Sequence, residues 1–264
     1  MWKTGAAHQL RGPPPQMSYH APVPLSDMRT APGHAAREKR RDMQNPESTQ
    51  AGPSTGETIR RAAFKLLMEQ GYAKTSYSSI AAATGQSRSL VQYYYPKKER
   101  LLTEFTLSLL ELAERYMDEN GLRTGLCFTD FSISGYMYFY FLLENEQLRP
   151  LAHDIMANRG TSCAVNEVLV QWQGRSEELA AYSPERIAEG VLLAMGGAYE
   201  IINHRLEHDL AIDIPTLLRS AISAYMHHLG LETGSYEANF EGYLLSPSEV
   251  AAANLYIMQH LLAC

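Results

Sequence analysis

From Glu57 onward, apolar residues recur at spacings of three and four, the period of a helix that buries one face. Alternation of β-branched residues over strand lengths is scarce. Ile59, Ala62, Ala63, Leu66 and Leu67 form one stripe, and Gly71 follows as a left-handed helix stop. Ser76 stands three residues ahead of Ser79 and caps a short helix over Ile80, Ala81, Ala82 and Ala83. Thr84-Gly85-Gln86-Ser87 interrupts it, and Arg88 to Tyr94 forms a second short helix. Pro96 ends that one, since proline lacks a donor and disfavours helix at the preceding residue. A long helix restarts near Lys98 and runs towards Met117.

Further along, Phe128 to Leu143 is aromatic on almost every side, with Phe131, Tyr136, Tyr138, Phe139, Tyr140 and Phe141 within it. A helix apolar all round is buried all round, which places this one centrally, as plain core or as the wall of a ligand pocket. Ser183-Pro184-Glu185 combines an N-cap, a proline at the first position and an acid in the first turn. The helix it opens carries Ala188, Gly190, Ala194, Gly196, Gly197 and Ala198. A glycine inside a helix costs about 1 kcal/mol against alanine, so their concentration points to close helix approach or a local irregularity. Ile214 to Leu229 sets Leu217, Leu218, Ala221, Ile222, Tyr225 and Leu229 on one side. Ser246-Pro247-Ser248-Glu249 is a capping box and opens a last amphipathic helix over about 247–262. The pattern predicts an all-α protein.

Charge divides the 264 residues unevenly. Residues 55–105 hold eight basic and four acidic side chains, and the 159 residues after them hold eight and 21. Within a formal net charge of −6, a small basic module is thus joined to a larger acidic one, the footprint of a nucleic-acid reader fused to another function. Residues 1–54 hold seven basic and four acidic side chains, Pro13-Pro14-Pro15 and no apolar period, and read as a disordered tail. Its cluster Arg37-Glu38-Lys39-Arg40-Arg41 is a solvated run or an arm for DNA. The longest apolar stretch, Tyr136 to Leu143, is far short of the roughly 18–20 residues of a membrane helix, and no apolar leader segment opens the chain. Cys127, Cys163 and Cys264 are odd in number and widely spaced, which suits a reducing compartment. The expectation is a cytoplasmic protein with no membrane partner.

Two short helices joined by a glycine turn have the helix-turn-helix layout. Residues 57–102 closely resemble the DNA-binding domain of the TetR family of bacterial transcriptional regulators. The resemblance is carried by Ile59, Ala62-Ala63, Gly71-Tyr72, Thr75-Ser76, Ile80-Ala81, Gly85, Ser87-Arg88, Tyr94-Tyr95-Pro96, Lys98-Glu99 and Leu101-Leu102. The sequence departs from the family's usual pattern at Gln86, Leu90 and Gln92. On the second short helix, 100° per residue puts Val91, Tyr94 and Tyr95 on the packing side. Arg88, Ser89, Gln92 and Tyr93 fall on the side that would enter a major groove, where arginine suits guanine and glutamine suits adenine. The resemblance implies phosphate contacts at Thr75, Ser76, Tyr94 and Lys98.

It also implies three regions: the tail over 1–54, a three-helix DNA-binding domain over 55–103, and a helical effector-binding and dimerisation domain over 104–264. Tyr116, Phe131, Tyr138 and Phe141 are candidates for the pocket of a small-molecule effector. Ala194, Ala198, Ile201, Leu218, Ile222 and Tyr225 are candidates for a homodimer interface. The function so implied is a ligand-responsive, homodimeric repressor on a pseudo-palindromic operator of double-stranded DNA. The alternative is a dimeric scaffold whose helix-turn-helix has little DNA affinity. His204 and His208 stand one turn apart with Glu207 between them, but no third ligand completes a metal site, and neither metal nor cofactor is expected. The acidic body would favour cationic effectors. No Walker loop, HExxH or CxxC occurs, so no enzyme is expected.

Overall fold

The computed structural model describes residues 53–263, so the tail expected over 1–54 and its Arg37–Arg41 cluster lie outside the described residues, apart from Pro53 and Ser54. Among the described residues the elements are all helical. The first is α1 (Thr55–Lys74), capped by Ser54, whose Oγ accepts from Glu57 N while Glu57 Oε2 accepts from Ser54 N at 2.6 Å. It buries Ile59, Ala63, Phe64, Leu67 and Met68. Gly71 does not stop this helix as expected. At φ 77° and ψ 174° it kinks the chain, which then takes one more turn to Lys74. The kink frees the backbone N–H of Ala73, which donates to Asp154 Oδ2 at 2.8 Å.

The short helices α2 (Tyr77–Thr84) and α3 (Arg88–Tyr94) follow, then the long α4 (Glu99–Glu119). Asp154 belongs to α6 (Arg149–Ala157), which packs along α1 and ties the N-terminal helices to the rest. Between them in sequence lies α5 (Cys127–Glu144), with 13 of its 18 residues buried, and α4, α6 and the three C-terminal helices pack around it. A further amphipathic helix, α7 (Arg159–Gln173), runs along α4.

Helices α8 (Pro184–Glu207) and α9 (Ile214–Leu229) form the most extensive helix pair. Gly190 makes their approach possible, because a Cβ there would run into the Tyr225 ring. After α10 (Gly234–Tyr243), the chain closes on α11 (Pro247–Leu261), started by the Ser246–Glu249 capping box. This last helix lies along α4 and α5. Tyr116 Oη on α4 donates to Glu249 O at 3.4 Å, and the Tyr116 and Tyr256 rings are 5.3 Å apart. Just beyond α11, Ala263 O accepts from Arg61 Nη2 on α1 at 2.7 Å. One apolar core runs through all of it, from Ile59 to Leu261. No helix among the described residues is long and apolar enough to cross a membrane.

Candidate nucleic-acid interface

Ser76 is extended and exposed, and its Oγ accepts from Ser79 N at 3.1 Å to cap α2. At the other end Gly85 adopts the left-handed conformation, φ 68°, that a side chain would resist. Its N–H and that of Gln86 both return to Ala81 O, which reverses the chain within a few residues. Ser87 Oγ then accepts from Leu90 N at 3.2 Å and starts α3 at a fixed angle to α2.

That geometry sorts α3. Val91 and, just past its end, Tyr95 are buried with Ile80 in the common core. Burial and the nearby Glu104 carboxylate push the Tyr95 phenol far above its ordinary value, so it is a neutral packing group. Arg88, Ser89, Gln92 and Tyr93 are all exposed on the opposite side. Tyr94 is half-buried, meets the Tyr93 ring edge to face at 5.8 Å, and lies against Gly56 at the start of α1.

Two residues expected to reach phosphate are turned elsewhere. Thr75 is fully buried, and its Oγ1 donates to Gly71 O at 2.7 Å. The threonine hydroxyl thus folds back onto the last turn of α1. Lys98 is half-buried, its Nζ donating to Tyr72 O at 2.7 Å and standing 4.0 Å above the centre of the Tyr72 ring. Burial lowers the Lys98 pKa, against the pull of Asp154 and Glu99, and the Tyr72 phenol is pushed up to about 12, chiefly by burial. The ammonium is a staple between the start of α4 and the end of α1. Lys74 and Lys97 are the cations that stand exposed at the two ends of the helix-turn-helix. Sequence reasoning passed over both. Their exposure depends on the Gly71 kink and on which of two adjacent lysines turns inward.

In the body, the candidate pocket residues do not line one open space. Tyr116 is covered by α11, Phe131 packs on Trp172 with ring centres 5.1 Å apart, and Phe141 is wholly inside the core. Tyr138 is buried with its hydroxyl unpaired among the described residues. Of the residues expected at a dimer interface, Ala194, Ala198, Leu218, Ile222 and Tyr225 are buried within the chain, because the apolar stripes of α8 and α9 face each other and α5. Ile201 is exposed, as are Leu192 and Leu193 on the same helix. The His204 and His208 rings stack with centres 4.4 Å apart, and His208 Nδ1 lies 2.8 Å from His204 O, so this pair is turned onto its own helix.

Residues 59–105 match the family model of bacterial regulatory proteins, tetR family. No curated protein matches the chain in sequence. Three solved structures are similar to it. The fatty acid degradation regulator FadR from Bacillus halodurans is 19% identical, with a TM-score of 0.41 over 67% of this chain and 99% of that one. SmeT of Stenotrophomonas maltophilia, the repressor of the multidrug efflux pump SmeDEF, is 17% identical, with a TM-score of 0.40 over 66% and 89%. AmtR of Mycobacterium smegmatis is 15% identical, with a TM-score of 0.26 over 70% and 99%. The capped α2, the left-handed turn at Gly85 and the outward α3 all lie inside this matched segment, so it is the helix-turn-helix region of the chain that is similar to the tetR family of bacterial regulatory proteins.

Proposed function

We propose that the protein is a homodimeric, effector-responsive repressor that reads a pseudo-palindromic operator with α3. The observation that carries the reading is the division of α3, with Val91 buried and Arg88, Ser89, Gln92 and Tyr93 exposed on one side. Arg88 pairs with guanine and Gln92 with adenine in the major groove, each good pair worth about 1–3 kcal/mol of discrimination. Ser76 at the start of α2 and Tyr94 at the end of α3 meet phosphate, joined by the exposed cations Lys74 and Lys97.

The second copy docks on the outer face of α8. There Leu192, Leu193 and Ile201 are 44%, 57% and 47% exposed. Gly196 and Gly197 have open space where a side chain would begin, which lets a partner helix come close. Such a dimer presents two α3 helices about one DNA turn, roughly 34–36 Å, apart. An effector held in the body acts by shifting α4, the helix that follows the reader directly.

Selection of bound DNA from a random pool, at stated salt, tests this. Recovery of an inverted repeat supports the dimeric reader, and no enrichment at low salt overturns it in favour of a scaffold. Leu193→Glu separates the two surfaces: it is expected to yield monomers in sedimentation and to lose the inverted repeat while leaving the fold intact.

A further inference from the structure

Buried hydroxyls without partners are costly, and three of them gather where α4, α5 and α8 meet the centre of the body. Tyr138 on α5 and Tyr199 on α8 are 3% and 4% exposed, and neither phenol oxygen completes a hydrogen bond among the described residues. Thr106 on α4, fully buried, is in the same position. Thr106 stands beside Tyr138 and tempers the rise that burial imposes on its phenol, yet the two oxygens miss hydrogen-bond geometry. Tyr138 is in turn the neighbour that adds to the upward push of burial on Tyr199. Both phenols are therefore protonated at neutral pH and have hydrogens to donate.

The surroundings are apolar. Tyr138 meets Phe139 edge to face at 5.4 Å, and Phe105, Met137 and Leu142 are buried on the same two helices. Charge is scarce inside. Asp130 is the buried charged side chain among the described residues, and its Oδ1 already accepts from Thr124 N at 2.9 Å and Thr124 Oγ1 at 2.8 Å. A cation or anion brought inside would find no free counter-charge, and an unpaired buried charge is strongly disfavoured. The acidic surface is thus no guide to the effector, contrary to what the sequence suggested.

We propose that Thr106, Tyr138 and Tyr199 mark the effector site, and that it takes an uncharged, largely apolar molecule carrying a hydrogen-bond acceptor. The inference rests on the reading of the body as effector-binding. Occupation requires a phenol to rotate, and Thr106 lies seven residues into α4, roughly 10 Å along the helix from its junction with the reader. Pressure at this point therefore acts on the helix that carries α3. The open groove of about 720 Å³ lined by Glu144, Arg149, His153, Arg205, Glu207 and Leu210 is of the opposite kind, since charges of both signs surround it.

Calorimetric titration of the full chain without DNA tests the site, using three matched probes: acetonaphthone, naphthoate and naphthylmethylammonium. The ketone is expected to bind once per chain. Tyr138→Phe and Tyr199→Phe, which keep the ring and are checked for folding by thermal melts, are each expected to weaken it about three- to tenfold, the worth of one hydrogen bond. The charged probes are expected to bind at least about tenfold more weakly, with whatever remains unaffected by either variant. Equal binding of all three probes, insensitivity of the ketone to both variants, or no saturable binding, as when the hydroxyls hold water only, would overturn the proposal. Release of the selected DNA is measured separately. Binding that obeys these rules without release keeps the site and removes the effector role, and failure to select DNA leaves the calorimetry unchanged.

Discussion

Lys97 and Lys98 are neighbours with the same charge, and the structure gives them different work. Lys98 Nζ donates to Tyr72 O and sits over the Tyr72 ring, whereas Lys97 is exposed. A hydrogen bond from a charged donor contributes about 1.5–3 kcal/mol, and a cation over an aromatic face about 0.5–2. Water reaches the half-buried Tyr72 carbonyl once the lysine is gone and recovers part of this, so Lys98→Ala is expected to cost about 2 kcal/mol of folding stability. For a chain of this size that lowers the melting temperature by roughly 4–8 °C. Lys97→Ala is expected to change stability by no more than about 0.5 kcal/mol, as surface substitutions do.

On DNA the order reverses. Loss of a phosphate contact reduces the slope of log affinity against log salt by about 0.9 per contact, and on the proposed docking Lys97→Ala is expected to remove one such contact in each subunit. Lys98→Ala should leave the slope unchanged and weaken binding through the geometry of the reader. Urea melts and binding titrations across a salt series, run on both variants, provide the comparison. A Lys98→Ala protein with full stability and a shallower salt slope would refute the staple and restore Lys98 as the phosphate contact.

Arg88→Ala should relax base preference at one position of each half-site, at a cost of about 1–3 kcal/mol on the preferred sequence, as read by repeating the DNA selection. Gly190→Ala drives a methyl group into the Tyr225 ring, and overpacking of about 1–3 kcal/mol outweighs the roughly 1 kcal/mol gained in helix propensity; a melting temperature at or above the parent's would show that α8 and α9 are not held this closely. Glu57, Glu249 and Asp213 have pKa values held below the ordinary 4.5, 4.5 and 3.8 by hydrogen bonds at helix starts, to Ser54, Ser246 and Thr216 respectively. Because the folded values are the lower ones, this stabilisation is complete above about pH 4.5 and is lost as the pH falls through them. Melting temperatures should therefore decline below that pH, and less steeply in Ser54→Ala and Ser246→Ala; identical acid profiles in parent and variants would remove the caps from the account.

How far the sequence could be read depended on how local each feature was. A helix start is a matter of three or four consecutive residues, so the caps at Ser76, Ser183 and Ser246 and the span Ile214–Leu229 were legible directly. The sides of α3 were legible too, because a seven-residue helix with Val91 inward has few ways to face. Helix α7 escaped notice because it buries Thr161, Asn166 and Gln173 among its apolar residues, which blurs the period. Helix α10 buries only Tyr236 and Phe240 and offers almost no period to find.

What only the tertiary structure decided is which of several equivalent faces meets which neighbour. Tyr225 and Ala194 look like interface residues by pattern, but the stripe they belong to is satisfied within the chain, and the exposed residues left over are Leu192, Leu193 and Ile201. Thr75 and Lys98 look like phosphate ligands until the fold turns one onto Gly71 O and the other onto Tyr72 O. Periodicity states that a face is apolar and that a side chain can donate. The partner is set by the packing of segments far apart in sequence, as with Asp154 of α6 holding the end of α1, and no local pattern encodes that.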